Sequence, residues 1–111
     1  MERDEREARI ARNEARFREI NEQLEGDLRR LPVEHERAQF VCECANRACA
    51  ELVEMTFDEY EAVRADPRRF VVVPGHDMPE AEVVIERTER FHVVHKHAPE
   101  AAAIAQATDP R

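Results

Sequence analysis

Three cysteines fall within eight residues, as Cys42-Glu43-Cys44 and then, after Ala45-Asn46-Arg47-Ala48, Cys49. No other feature narrows so far what the chain can fold into. Thiolates converge only where something holds them, and a tetrahedral zinc with Zn–S bonds of about 2.3 Å needs its sulfurs within roughly 4 Å of one another. Two cysteines one residue apart meet that demand if the chain turns sharply between them, as at a strand end. Asn46 suits the turn that returns Cys49. The competing reading makes the cysteines ordinary core residues or a loose redox set. It requires Cys49 to join the one strand face that residues 42 and 44 share. An odd number of thiols also leaves one unpaired in any disulfide scheme.

A fourth ligand must come from elsewhere, and His76 is the candidate. It follows Pro74-Gly75 directly after the β-prone run 70–73, so it occupies a turn at a sheet end. If that strand pairs beside 38–42, the turn faces the cysteines. His35, in the linker after Pro32, and His92, His95 and His97, on the last strand, are the alternatives, as is water. Zinc is the leading ion for the set Cys42, Cys44, Cys49 and His76, one structural ion in a closed site. A [2Fe–2S] cluster uses the same ligand types, and an open fourth position would make the zinc catalytic.

The chain has 111 residues, one domain's worth, of which 42% are hydrophobic and 38% charged. A domain of this size buries a modest share of its surface, and a metal commonly supplements so small a core. The formal charge of −8 disfavours nucleic acid, which is bound by clustered positive charge that displaces counterions. No apolar run approaches the roughly 20 residues that span a bilayer. The charged start Met1-Glu2-Arg3-Asp4-Glu5 does not read as a secretory signal, and the expectation is a cytoplasmic protein with reduced thiols.

The organisation expected is α+β: a long N-terminal helix over 1–31, a zinc-stabilised core over 32–98, and a C-terminal helix or flexible tail over 99–111. Residues 2–31 contain no proline and one glycine, Gly26, and are rich in Ala, Arg, Glu and Leu. Ile10, Phe17, Leu24 and Leu31 recur every seven residues, widened by Ile20 and Leu28. That stripe predicts a helix whose second half docks on the sheet while its first half projects as an interaction arm, for a protein partner or a second copy. Strands are expected at 38–42 and 51–55, at 70–73, and as a hairpin of 83–88 with 91–96, together forming a small antiparallel or mixed sheet. Thr56 and Glu59 form a capping box opening a short crossing helix that Asp66-Pro67 stops. Residues 99–107 read as an alanine-rich helix or frayed tail, and 108–111 as disordered.

The Cys-x-Cys-x4-Cys spacing of Cys42, Cys44 and Cys49 resembles the post-SET zinc segment of SET-domain methyltransferases, in which a distant part of the chain completes the metal site. That resemblance implies metal ligation and no activity. Phe40-Val-Cys42-Glu-Cys44, Thr56-x-x-Glu59-Tyr60-Glu61-x-Val63-Arg64, Phe70-Val-Val and Pro74-Gly75-His76 together resemble a family of small uncharacterised bacterial proteins. In that family an Arg/Glu-rich helix precedes the same cysteine-bearing strand, and the resemblance implies membership without a mechanism.

Other chemistry is sparse. The chain has no serine, no P-loop and no dinucleotide fingerprint. Glu43, between two ligands, reads as a solvated loop side chain, with general base the sharper alternative. The last-strand histidines read as a polar face before a second metal site, and Tyr60 as a ring packed with its hydroxyl exposed. Three functions are therefore in view: a non-catalytic, protein-binding and possibly regulatory zinc module, a zinc hydrolase assisted by Glu43 or a late histidine, and a thiol redox sensor that releases zinc on oxidation.

Overall fold

A computed structural model of the chain describes residues 2–32 and 36–111. The element order is α1 (Glu2–Arg29), β1 (Ala38–Val41), β2 (Leu52–Met55), α2 (Phe57–Arg64), β3 (Arg69–Val72), β4 (Glu82–Arg87), β5 (His92–Lys96) and α3 (Pro99–Ala107). This is the α+β architecture the sequence predicts. At about 1.5 Å per residue the 28 residues of α1 span roughly 42 Å, which accounts for most of the 49 Å long axis.

The strands form two antiparallel sheets where one was expected. β1 pairs with β2, Ala38 opposite Met55 and Val41 opposite Leu52. The other sheet has the order β3-β5-β4. Val71 therefore faces Val93 of β5 and lies beside Glu43, just past β1, through a Glu43 N–H to Val71 O bond of 2.8 Å. The expected neighbour of the 70–73 strand is thus displaced along the chain, and its end still reaches the cysteines. Ile85 is an extra residue between the paired positions Val84 and Glu86, a bulge of the kind that blunts an edge strand.

Both faces of the three-stranded sheet are covered. Val71 and Val93 pack with Phe40, Val53, Met55, Tyr60 and Val63 of the β1–β2 sheet and α2. Phe70, Val72 and Val94 pack toward Cys42, Cys44 and Ala105. The Tyr60 ring stacks on Phe40 with centroids 4.5 Å apart. Its hydroxyl is buried without a hydrogen-bond partner among the described residues, contrary to the expected exposed hydroxyl. The capping box that opens α2 is present as predicted: Glu59 N donates to Thr56 Oγ1 at 3.0 Å and Thr56 N to Glu59 Oε1 at 2.8 Å.

The long helix docks differently from the expectation. Its buried residues are Glu7, Ala8, Ile10, Ala11, Glu14, Ala15, Arg18, Asn21 and Glu25, so a small and polar face meets the body. Leu24 and Leu28, in the second half, pack half-buried against the core around Phe40 and Tyr60 as expected, whereas Phe17 is half-buried and Ile20 and Leu31 are each 50% exposed. The first half does not project: Ile10 and Ala11 pack against Ala81, Ala98 and Ala101, where alanines let α1 and α3 approach closely. The polar face instead makes most of the specific contacts, although the Glu14 carboxylate oxygens and Arg18 Nε are buried without a hydrogen-bond partner among the described residues. Arg18 donates to Pro67 O at 2.6 Å and Ala105 O at 2.8 Å and lies over the Phe70 ring. Glu14 and Glu82 both contact the Lys96 ammonium. The end of the chain is fastened as well, Arg64 pairing with Asp109 and Arg111 with Glu22 and Glu61. Residues 108–111 thus carry specific contacts where a disordered tail was expected.

Candidate metal centre

Cys42 follows β1, and its N–H donates to Glu51 O at 3.0 Å, extending the β1–β2 ladder by one pair. The chain then turns through Asn46, whose Oδ1 accepts from Ala48 N and whose carbonyl accepts from Cys49 N, both at 3.0 Å. This side-chain-mimicked turn brings Cys49 back over Cys42. On the facing side β3 runs into Val73-Pro74-Gly75-His76, closed by His76 N to Val73 O at 2.9 Å. Gly75 has φ of 91°, the left-handed value that the third position of a type II turn demands and that glycine adopts without a Cβ clash.

Two turns thereby place one ligand atom from each of Cys42, Cys44, Cys49 and His76 within 4.8 Å of one another. Among the described residues no other such group of histidines, cysteines or acids is this close. His76 Nδ1 lies 3.5 Å from Cys42 Sγ and 3.8 Å from Cys49 Sγ. A tetrahedral zinc with ordinary Zn–S and Zn–N bonds separates sulfur from nitrogen by about 3.6 Å, so the donor set fits the ion. The other ring nitrogen, Nε2, is 3.0 Å from Glu51 Oε2. An Nε2 proton held by that carboxylate leaves the Nδ1 lone pair toward the sulfurs, as the outer carboxylates of metal-bound histidines do. Cys42 Sγ also accepts the Val73 N–H at 3.1 Å, a bond that stabilises a thiolate. Burial pushes the Cys42 thiol well above its usual range and raises that of Cys44; a bound cation opposes that cost.

Glu43 is neither solvated nor available as a base. It is fully buried, with Oε1 accepting Val71 N at 3.0 Å and Oε2 accepting Asn21 Nδ2 at 2.8 Å. Burial pushes its carboxyl up to about 7 against those bonds. Asn21 completes a bridge to the site: its Oδ1 accepts Val41 N and its Nδ2 donates to Val41 O, both at 2.8 Å. In effect one side-chain amide of α1 serves β1 as a strand neighbour. Of the histidines weighed as alternatives, His97 Nε2 lies 3.2 Å from Pro79 O, His95 is paired opposite Arg69 and Val83, and His92 opposite Val72 and Arg87. None joins the sulfurs. His35 lies outside the described residues.

Glu51 and Asn21 are the site residues that sequence reasoning missed. Nothing in the sequence separates Glu51 from Glu54. The β1–β2 register, which sets residue 51 opposite residue 42, does so. Site and fold together define a small α+β protein with a Cys3His cluster fastened at a sheet end. No family model, no curated protein and no solved structure matches the chain.

Proposed function

We propose that the protein is a zinc-stabilised, non-catalytic protein-binding module, with one structural zinc on Cys42, Cys44, Cys49 and His76. The closed donor set carries the reading: four ligand atoms within 4.8 Å, three from sulfur, with the imidazole oriented by Glu51. Four protein ligands are the signature of a structural rather than a catalytic zinc. The likeness of the cysteine spacing to the post-SET segment supports the same ion. A hydrolase reading loses its assisting base, because both oxygens of Glu43 accept hydrogen bonds from the fold. No described helix is long and apolar enough to cross a membrane.

Zinc in such a place supplies charge to three thiolates and joins the 42–51 loop to the turn after β3, rigidifying the β region that α1 covers. Native mass spectrometry of protein purified without added metal tests this, with Cys49→Ala and His76→Ala alongside. One zinc in the parent, lost in Cys49→Ala and weakened or lost in His76→Ala, is the expected result. A parent carrying no metal, or a His76→Ala protein holding zinc as tightly as the parent, overturns the closed site.

A further inference from the structure

Acidic side chains outnumber basic ones in this chain, 25 to 17, and most arginines have a carboxylate partner. Arg6 pairs with Glu80, Arg29 with Glu25, Arg64 with Glu22 and Arg90 with Glu59. Arg9, Arg12, Arg16 and Arg47 depart from this. All four are exposed, and their guanidinium groups have no ion-pair or hydrogen-bond partner among the described residues. Positions 9, 12 and 16 are neighbours on one side of a helix. Arg47 reaches the same side from the metal loop, lining a hollow of about 160 Å³ with Asn13, Arg16, Phe17 and Ile20. Arg16 is shared with an adjoining hollow of about 360 Å³ that includes Arg9 and Arg12, and with a groove along Ile20 and Leu24.

The result is an apolar centre, Phe17, Ile20 and Leu24, beside a rim of unpaired cations. The loop that carries Arg47 is held at both ends by the cysteines and tied to α1 through Asn13 Nδ2 and Ala45 O at 3.1 Å. A solvated helix face is the ordinary explanation for exposed arginines. It does not account for four guanidinium groups without a carboxylate partner gathered around hollows whose acids are Glu19 and the Arg30-paired Asp27, or for the half-exposed apolar residues they surround.

We propose that this face docks an acidic amphipathic helix of a protein partner. Its apolar side chains cover Phe17 and Ile20, and its carboxylates pair with Arg9, Arg12, Arg16 and Arg47. The inference rests on the protein-binding reading above and gives the partner its chemistry. A second copy fits poorly, because a two-fold contact through this face sets the same unpaired arginines against each other. A nucleic acid offers phosphates to the arginines but no aliphatic face to cover Phe17 and Ile20.

The test uses the full metal-loaded chain and a fluorescent synthetic helix of leucines and glutamates, read by anisotropy. A glutamine-for-glutamate version and a single-stranded oligothymidine run in parallel. The Leu/Glu helix is expected to bind, more weakly as salt rises from about 50 to 200 mM, and at least about tenfold more weakly to Arg12→Glu/Arg16→Glu. Arg87→Glu, a charge reversal on β4 well outside the face, is expected to leave binding unchanged. Absence of binding, undiminished binding to the double variant, equal binding of the glutamine helix, or preference for oligothymidine overturns the proposal. Zinc content measured on the same samples keeps the two readings apart. A double variant that retains zinc and loses the helix isolates the docking face. A zinc-free parent that still binds the helix sinks the metal reading alone.

Discussion

Two polar clusters, one half-buried and one fully buried, hold this small fold together, and they are built from opposite materials. At the metal centre, Cys42, Cys44, Cys49 and His76 come from two tight turns and present donors whose combined cost is relieved only by a cation. Beneath α1, Glu14, Lys96 and Glu82 come from three different elements, and all three side chains are fully buried. There the chain supplies both signs of charge. Burial lowers the Lys96 ammonium and raises the Glu82 carboxyl, each toward its neutral form, and one Glu14 oxygen has only the lysine beside it. With the proposed ion bound, the first cluster would gain directional bonds that the unfolded chain lacks. The second recovers by mutual attraction roughly what desolvation costs it. The metal cluster should therefore be indispensable and the ionic one replaceable.

The largest effect is expected from removing the metal. A structural zinc contributes on the order of 10 kcal/mol at neutral pH, comparable with the whole stability of a domain this size. Treatment with a strong chelator, or Cys49→Ser, is expected to abolish the cooperative thermal transition followed by circular dichroism. An unchanged melt after the metal is gone would place the stability elsewhere and reverse the ranking of the two clusters.

The ionic cluster should answer differently to one substitution and to three. Lys96→Met alone leaves two carboxyls buried without a counter-charge and is expected to cost about 3–5 kcal/mol in urea unfolding. Glu14→Leu/Glu82→Leu/Lys96→Met removes every charge together and is expected to return to within about 1–2 kcal/mol of the parent, or to exceed it. If the triple variant is as unstable as the single one, the cluster does more than neutralise itself.

The same contrast explains what could be read from the sequence. Cysteine ligands are few and local, so their spacing and the Pro74-Gly75-His76 turn pointed to the site before any coordinates. The capping box of α2 and the strands were legible for the same reason, as short patterns with a local mechanism. The docking face of α1 was not. Of its apolar stripe only Leu24 and Leu28 reach the core, while Glu14, Arg18 and Asn21 go inward. A charged residue announces burial only through a partner on another element, and those partners, Lys96, Pro67 and Val41, lie far along the chain. Periodicity of apolar residues therefore found the part of the contact made by Leu24 and Leu28 and missed the larger polar part. Glu43 failed likewise, because its burial depends on Asn21 and on the β3 backbone.

Asn21 tests the joint between the two regions, since it belongs to the polar face of α1 and braces the strand that enters the metal loop. Asn21→Ala removes bonds to Val41 N, Val41 O and Glu43 and leaves those groups buried, for an expected loss of about 1–3 kcal/mol. Amide exchange at Val41 should accelerate while zinc stoichiometry is unchanged. Loss of zinc in this variant would mean that helix and metal site form one cooperative unit rather than two clusters.

The smallest effect belongs to an ion pair outside both clusters, and it calibrates them. Glu59 caps Thr56 N at 2.8 Å and is gripped by Arg90 at 2.7 and 3.0 Å. The Arg90 guanidinium is the chief reason its carboxyl falls from 4.5 to about 2. The unfolded chain takes up a proton at Glu59 near pH 4.5, while the folded chain keeps it ionised to about pH 2. The stabilisation is therefore complete above about pH 4.5 and is lost as pH falls through the folded value. Since the pair is partly exposed, solvent screening holds its worth below about 1 kcal/mol, and Glu59→Gln, which retains a capping side chain, should cost no more than that at neutral pH. Carbon-detected NMR of the zinc-loaded protein should find the Glu59 carboxylate still ionised near pH 4.5, where an ordinary glutamate is close to half protonated. Titration of Glu59 at that ordinary pH would show that Arg90 does not hold it.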